Sequence, residues 1–330
     1  MKKIVRIIAS ASFALALVVS FVYWPNASAQ TTANGNGIKV SPVRSDLTIG
    51  AGQSKTITMN IQNITSAPAE FQAIINDFVP SGEAGQPALI LDEDKFAPSH
   101  SLKRYVAPVP NVTLNPGENK DVKVTINIPK DAAGGGYYGA VRFAPAGEQG
   151  GRNVTLSASV GSIILVKVPG DIVNDMKIDS FDVRKGEDGV GGSAFFTSNK
   201  DLFAVVRFKN NGNVHEQPFG KIRLKQGDKV IQEIEINNTD PRGNVLPDSV
   251  RRFNNKLTKV PMFGKFTVEG NFGYGDNSQL VSGKTTFWVI PLALMVGAIV
   301  AIIVLITLIV GLPRAIKRYN QNVIRKAGRR

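Results

Sequence analysis

Residues Phe287–Leu312 form a run of 26 consecutive residues without a single charged side chain. An α-helix needs about 20 apolar residues to cross the hydrocarbon core of a bilayer. Trp288 stands at the outer edge of the run, where an amphipathic ring suits the headgroup layer. The sequence therefore predicts a transmembrane helix over residues 287–312.

The segment after this run, residues 313–330, is basic and contains seven Lys or Arg and no acid. This basic composition predicts that residues 313–330 lie in the cytoplasm, because positive residues are retained on that side. The bases also attract anionic lipid. The residues nearest the predicted helix are candidates for the edge of the membrane anchor: Arg314, Lys317 and Arg318.

The first 29 residues have the three parts of a secretory signal peptide. These parts are a basic start, an apolar stretch and a small-residue cleavage site: Lys2, Lys3 and Arg6, then Ile7–Val22, then Ala27–Ala29. An uncleaved anchor is the alternative. Residues 30–37 are a polar, flexible leader. Both ends predict a single-pass protein of the cell membrane, with residues 30–286 outside and the tail in the cytoplasm.

The chain has a net charge of +13, which alone would suggest a nucleic-acid partner. Ten of its 39 bases lie in the two ends, and 29 bases remain against 26 acids between them. No basic stripe with aromatic residues appears, so we expect no nucleic-acid binding. The absence of cysteine excludes disulfides and thiolate chemistry. With His100 and His215 as the only histidines, we expect no metal centre and no cofactor.

Apolar and polar residues alternate along much of the segment between the two ends. The clearest examples are residues 56–62, 121–128 and 265–272. This period of two is typical of strands that bury one face and expose the other, as in antiparallel sheets. Two further runs flank a turn at Gln226-Gly227-Asp228, which predicts a hairpin.

Pro169-Gly170 marks the predicted boundary between two β domains. The sequence predicts an all-β fold of two tandem Ig-like β-sandwich domains, residues 38–170 and 171–286, followed by the helix. The two halves share short patterns. In each, a strand runs into an Asn-rich turn, at Asn60–Asn63 and at Arg207–Asn213.

These patterns resemble the WxL-interacting proteins of bacterial cell surfaces. The residues that carry the resemblance are Asp46–Gln53, Met59–Asn63, Gly136–Phe143, Asn210–His215, Pro218–Ile222, Val245–Pro247 and Phe263–Val268. The resemblance implies a β domain that binds peptidoglycan, a second that binds host or surface partners, one transmembrane helix and a basic tail. Similar turn-and-strand patterns also occur in pilus-chaperone-like domains.

The strand Gly136–Phe143 is predicted to be an exposed sheet edge, which is able to pair with a strand of a partner. Tyr137, Tyr138 and Val141 on it are the candidate contacts for a partner or ligand, and the tyrosine rings suit sugar faces. The acidic cluster Asp92–Asp94 fits a solvated turn better than a calcium loop, since no Asp-x-Asp-x-Asp-Gly pattern follows.

No residue is predicted to be catalytic. The sequence has no Gly-x-Ser-x-Gly, and no carboxylate pair stands out. We therefore expect a non-enzymatic, membrane-anchored envelope protein that binds a peptidoglycan-like cell-wall polymer or another surface protein. An accessory or chaperone-like subunit of a membrane complex is the alternative, and a hydrolase is a third.

Overall fold

The computed structural model describes residues 37–146, 159–189, 191–276 and 278–327. The signal-peptide prediction, most of the leader and residues 328–330 lie outside that part of the chain. The described residues form seventeen strands and one long helix, and they confirm the all-β fold with a C-terminal apolar helix.

The first nine strands form one sandwich. Their bounds are β1 Ile38–Ser41, β2 Arg44–Thr48, β3 Ser54–Asn63, β4 Ala69–Ser81, β5 Gln86–Leu89, β6 Val112–Leu114, β7 Asn119–Asn127, β8 Gly135–Pro145 and β9 Val160–Val168. One sheet has the order β1-β3-β7, and the facing sheet has the order β2-β9-β8-β4-β5 with β6 also paired to β4. The inward residues of the alternating strands, such as Met59, Ile61 and Val124, form its core.

The remaining eight strands form the second sandwich. Their bounds are β10 Met176–Lys185, β11 Phe195–Phe196, β12 Leu202–Asn210, β13 Phe219–Gln226, β14 Lys229–Ile236, β15 Ser249–Leu257, β16 Gly264–Tyr274 and β17 Gln279–Val289. The sheet β10-β12-β15 faces the sheet β11-β17-β16-β13-β14 over a core rich in phenylalanine. The predicted hairpin at Gln226–Asp228 is confirmed, because β13 pairs antiparallel with β14 around it.

The last strand continues further than the apolar run predicts. Phe287 pairs with Phe266 and is buried in the second core, so residues 287–289 belong to β17. Helix α1, Leu292–Ala327, begins five residues later than the predicted start. Pro291 lies between the two elements, and α1 continues through Pro313 into the basic segment. Within α1, residues Leu292–Arg314 are long and apolar enough to cross a membrane, with a mean hydropathy of 3.2.

The two sandwiches touch through a polar junction. Arg44 of β2 donates to the carbonyl of Arg242 at 2.5 Å and to the side-chain oxygen of Asn244 at 3.0 Å. Glu83, at the tip of the β4–β5 hairpin, accepts from Arg207 of β12 at 2.6 Å. The side-chain amide of Asn213 donates to the carbonyl of Gly134, and the backbone carbonyl of Asn213 accepts from the N–H of Gly136, on either side of the first residue of β8. These contacts hold the sandwiches in a defined relative orientation.

Candidate functional site

Strand β8 is central in its sheet, so the prediction that Gly136–Phe143 is an exposed edge is wrong. It pairs with β4 on one side and with β9 on the other. Both rows of its backbone hydrogen-bonding groups are therefore used within the sandwich, and a partner strand has no free edge to join. The pairing is long-range, and the local glycine pattern gave no sign of it.

The three candidate contact residues on β8 differ in their surroundings. Val141 is fully buried, and Tyr138 is only 3% exposed, packed among Phe78, His100 and His215. Tyr137 is half-buried; its hydroxyl donates to the carbonyl of Ala133 at 2.9 Å, and its ring meets Tyr105 edge to face. A ligand contact by these residues stays a prediction, and Tyr137 is the only one of them with appreciable exposure.

A polar pair in the middle of β4 organises the surface beside it. Asp77 is buried, and its two carboxylate oxygens accept from the backbone N–H groups of Ala97, at 2.9 Å, and Lys103, at 2.8 Å. Its neighbour Asn76 donates to the carbonyl of Ile90 at 2.7 Å. A buried carboxylate is tolerated only with such donors. The pair therefore holds the long segment 90–105 against the sheet.

This segment forms one wall of a groove in the first sandwich, with a volume of about 510 Å³. The other wall is the start of β4, and the chain before β6 closes one end. Its lining combines apolar side chains with one acid and two bases: Gln72, Ala73, Ile74, Ile75, Glu93, Phe96, Lys103, Arg104, Val106, Pro108 and Val109.

Phe96 is the exposed aromatic residue of the groove, and cations hold it in place. The Arg104 guanidinium lies 4.6 Å from the centre of the ring and the Lys103 ammonium lies 5.0 Å from it. Such cation–π contacts are worth about 0.5–1 kcal/mol at exposed sites. Lys103 also donates to the carbonyls of Glu93 and Lys95, whereas Arg104 is exposed. The groove thus offers a flat apolar face beside a positive charge.

The acidic cluster at residues 92–94 lies on the rim of this groove. Asp92 accepts from the N–H of Asp94 and pairs with Lys95 at 2.9 Å. The hydrogen bond from Lys95 lowers the pKa of Asp92. These contacts are those of a solvated turn. Among the described residues no group of three or more His, Asp or Glu is arranged to hold a metal ion.

A second cavity, of about 260 Å³, lies at the junction between the sandwiches. Glu216 lines it, is 3% exposed, and has one carboxylate oxygen without a hydrogen-bond partner. Burial raises the pKa of Glu216 to about 7. His215 beside it is also desolvated, and its pKa falls to about 4. Lys167 and Asp276 form an ion pair across the rim.

Replacing Glu216 with glutamine is expected to stabilise the protein at pH 8 and to have little effect at pH 5. In the folded state the carboxyl of Glu216 takes up a proton as the pH falls through about 7, because its pKa is raised. In the unfolded state the same carboxyl has an ordinary pKa of about 4.5 and takes up its proton only near that pH. Its charge therefore costs stability above pH 7. The contribution of His215 has the opposite sign but is common to both proteins. Thermal unfolding of the full chain in detergent at the two pH values measures the difference.

Glu187→Gln is the matched control, because Glu187 is exposed and its carboxyl is therefore solvated in both the folded and the unfolded state. It should leave the unfolding temperature unchanged at both pH values. An equal effect of Glu216→Gln at pH 5 and pH 8 would contradict the raised pKa.

The groove was not predicted from the sequence. Phe96, Lys103 and Arg104 lie in an irregular region, and their approach to β4 depends on Asp77, which stands among apolar residues of a strand. A buried Asn-Asp pair inside the run Ile74–Val79 was the available signal, since polar residues in a strand core need specific partners.

The first sandwich matches a known family. Residues 44–145 match the WxL Interacting Protein, peptidoglycan binding domain. The resemblance predicted from the sequence is confirmed there, and every residue that lines the groove lies within the matched range. No curated protein sequence matches the chain.

Solved structures that match the chain include bacterial fimbrial chaperones. The class 5 fimbriae chaperone CfaA is 13% identical, with a TM-score of 0.37, and the match covers 77% of this chain and all of that one. The E. coli chaperone DraB is 15% identical, with a TM-score of 0.34, over 76% of this chain and 96% of that one.

Proposed function

We propose that this protein is a non-enzymatic, membrane-anchored envelope protein whose first sandwich binds a peptidoglycan-like cell-wall polymer in the groove beside Phe96. The observation that carries the proposal is the groove itself, which lies within the residues that match a peptidoglycan-binding family. Cell-wall glycans present apolar sugar faces, and their peptide stems present carboxylates. An aromatic ring beside an arginine suits both groups.

The rest of the chain fits this role, because it connects the first sandwich to the proposed membrane anchor. In the proposed topology α1 spans the membrane over Leu292–Arg314, and the basic residues after it stay in the cytoplasm. Only Ile290 and Pro291 separate β17 from α1, so the second sandwich stays close to the bilayer. The contacts of Arg44 and Glu83 at the junction join the first sandwich to the second, and in this proposal the first sandwich is the part that reaches the wall.

A pull-down of the full chain in detergent on purified cell-wall sacculi tests this function. One batch of sacculi keeps its attached proteins, and a second is stripped of them with protease. We expect equal retention on both batches, because the ligand is the polymer. Loss of binding on stripped sacculi would make another surface protein the partner.

Absence of binding to both batches would contradict the proposal and favour the accessory-subunit alternative. Exchange of α1 and its basic tail for an unrelated anchor then separates the two roles. A polymer binder keeps its retention on sacculi after the exchange, whereas an accessory subunit loses the association with its membrane complex.

A further inference from the structure

Four large apolar side chains are exposed at one end of the second sandwich. Met262 is 70% exposed, Phe195 65%, Phe263 55% and Trp288 37%. They come from three separate parts of the chain, namely β11, β17 and the loop before β16. We call these four residues the apolar collar.

Strand pairing brings the apolar collar together at the point where the chain leaves the sandwich. Phe195 stands opposite Trp288 in the parallel pair of β11 and β17. Gly264, directly after Phe263, stands opposite Val289, the last residue of β17. The N–H of Ile290 donates to the carbonyl of Phe196 at 2.9 Å. Trp288 and the residue paired with Phe195 are therefore the same, and Met262 and Phe263 directly precede the residue paired with Val289, three residues before α1 begins.

From this placement we propose that the apolar collar inserts into the headgroup layer of the membrane that α1 crosses, and so forms a second, peripheral anchor for the second sandwich. The inference rests on the proposed membrane anchoring by α1. The membrane is the expected partner of the apolar collar because the chain leads directly from one to the other: α1 begins at Leu292, three residues after the end of β17.

The chemistry of the apolar collar and its surroundings fits a lipid interface. Tryptophan and phenylalanine are favoured at the boundary between headgroups and acyl chains. Exposed lysines border the apolar collar at Lys259 and Lys265, and Lys265 stands directly opposite Trp288. Lysines at this level attract anionic headgroups. Insertion at several points limits the tilt of the sandwich, which a single helix would leave free.

The absence of native cysteine allows a direct test with single-cysteine labels on the full chain. Met262→Cys carries an environment-sensitive fluorophore, and the protein is reconstituted into vesicles of phosphatidylethanolamine and phosphatidylglycerol that contain nitroxide lipids. The matched control is Leu280→Cys, which is 82% exposed at the other end of β17, roughly 30 Å away by strand rise.

We expect the label at position 262 to lose about half of its fluorescence to a nitroxide placed shallow in the acyl chains, as for a side chain inserted a few ångströms. The label at position 280 should keep its fluorescence and remain accessible to aqueous iodide. A Phe195→Cys label should behave like that at 262. The double change Met262→Asp and Phe263→Asp should abolish the quenching at position 195, whereas Leu280→Asp should not.

Flotation of the vesicles separates a failure of this inference from a failure of membrane anchoring. Protein that does not float with the vesicles would contradict the anchoring role of α1. Protein that floats but shows equal, weak lipid quenching at positions 262 and 280 would overturn insertion of the apolar collar alone. A second result would also overturn it: the lipid nitroxides do not quench the label at position 262, but the label becomes shielded from iodide as the protein concentration rises. That result would indicate contact with a second copy of the chain.

Discussion

Replacing Asn63 with alanine is expected to lower the free energy of unfolding of the first sandwich by about 3 kcal/mol. Asn63 is fully buried at the end of β3. Its amide donates to the carbonyls of Ala67, at 2.9 Å, and Leu114, at 3.0 Å, and its oxygen accepts from the backbone and the hydroxyl of Thr65. Alanine removes all of these bonds and takes the side-chain donor from the buried carbonyl of Leu114, whereas the exposed carbonyl of Ala67 keeps its bond from the Thr65 hydroxyl.

The second sandwich has an equivalent buried asparagine at the end of a strand. Asn210 is fully buried at the end of β12, and its amide donates to the carbonyls of Val214 and Val245 at 2.7 and 2.9 Å. Its oxygen accepts from the N–H of Gly212. The Asn-rich turns that the two halves of the sequence share are therefore fixed by equivalent side chains.

Urea denaturation of the full chain in detergent, followed by circular dichroism, measures the effect. The matched control is Asn60→Ala in the same strand, because Asn60 is exposed and its side-chain amide donates to the exposed Asp121. That change should stay within about 0.5 kcal/mol of the wild type. If Asn63→Ala and Asn60→Ala destabilise the protein equally, the buried asparagine does not hold the turn.

The alternating pattern predicted the strands well because each strand buries one face. Residues 56–62, 121–128 and 265–272 fall in β3, β7 and β16, apart from the last residue of the second run. The period of two is a local property, and burial against a facing sheet enforces it. The Gln226–Asp228 hairpin was predicted for the same reason, since a short turn between two strands sets their pairing.

Strand order was beyond the reach of such local patterns. Strand β8 looked like an edge strand because glycines precede it, but β4 and β9 flank it after long excursions of the chain. At Gly139 a side chain would approach Leu102 and the backbone of Asn76 at 3.1–3.3 Å, so glycine permits close packing here. A glycine-rich start therefore marked a crowded centre of the sheet.

The apolar residues before α1 could be buried either in the membrane or in the core of the second sandwich. Hydropathy alone assigns Phe287 to the membrane, but the ring packs on Phe196 and Phe266 within the second core. A sequence of apolar residues does not distinguish a buried strand end from the beginning of a membrane helix. The proline at position 291 was the local sign of the change, because it cannot continue a strand ladder.

The second large effect is expected in the groove. Changing Arg104 to glutamate should weaken binding of cell-wall fragments at least about tenfold, which corresponds to 1.4 kcal/mol. The change removes one of the two cations that contact the Phe96 ring and places a negative charge beside the proposed site of the stem carboxylates. Arg104 is exposed, so the substitution leaves the core of the sandwich intact. Phe96→Ala should weaken binding as well, by removing the apolar face.

Titration of the full chain in detergent with soluble glycan strands that retain their peptide stems tests whether the groove binds the cell-wall polymer. The proteins compared are the wild type, Arg104→Glu and Lys123→Glu, which makes the same charge change at an exposed position on β7 in the opposite sheet. We expect the affinity to fall about tenfold for Arg104→Glu and to stay near the wild-type value for Lys123→Glu. Equal affinities of Arg104→Glu and the wild type, or equal losses in both variants, would contradict binding in the groove.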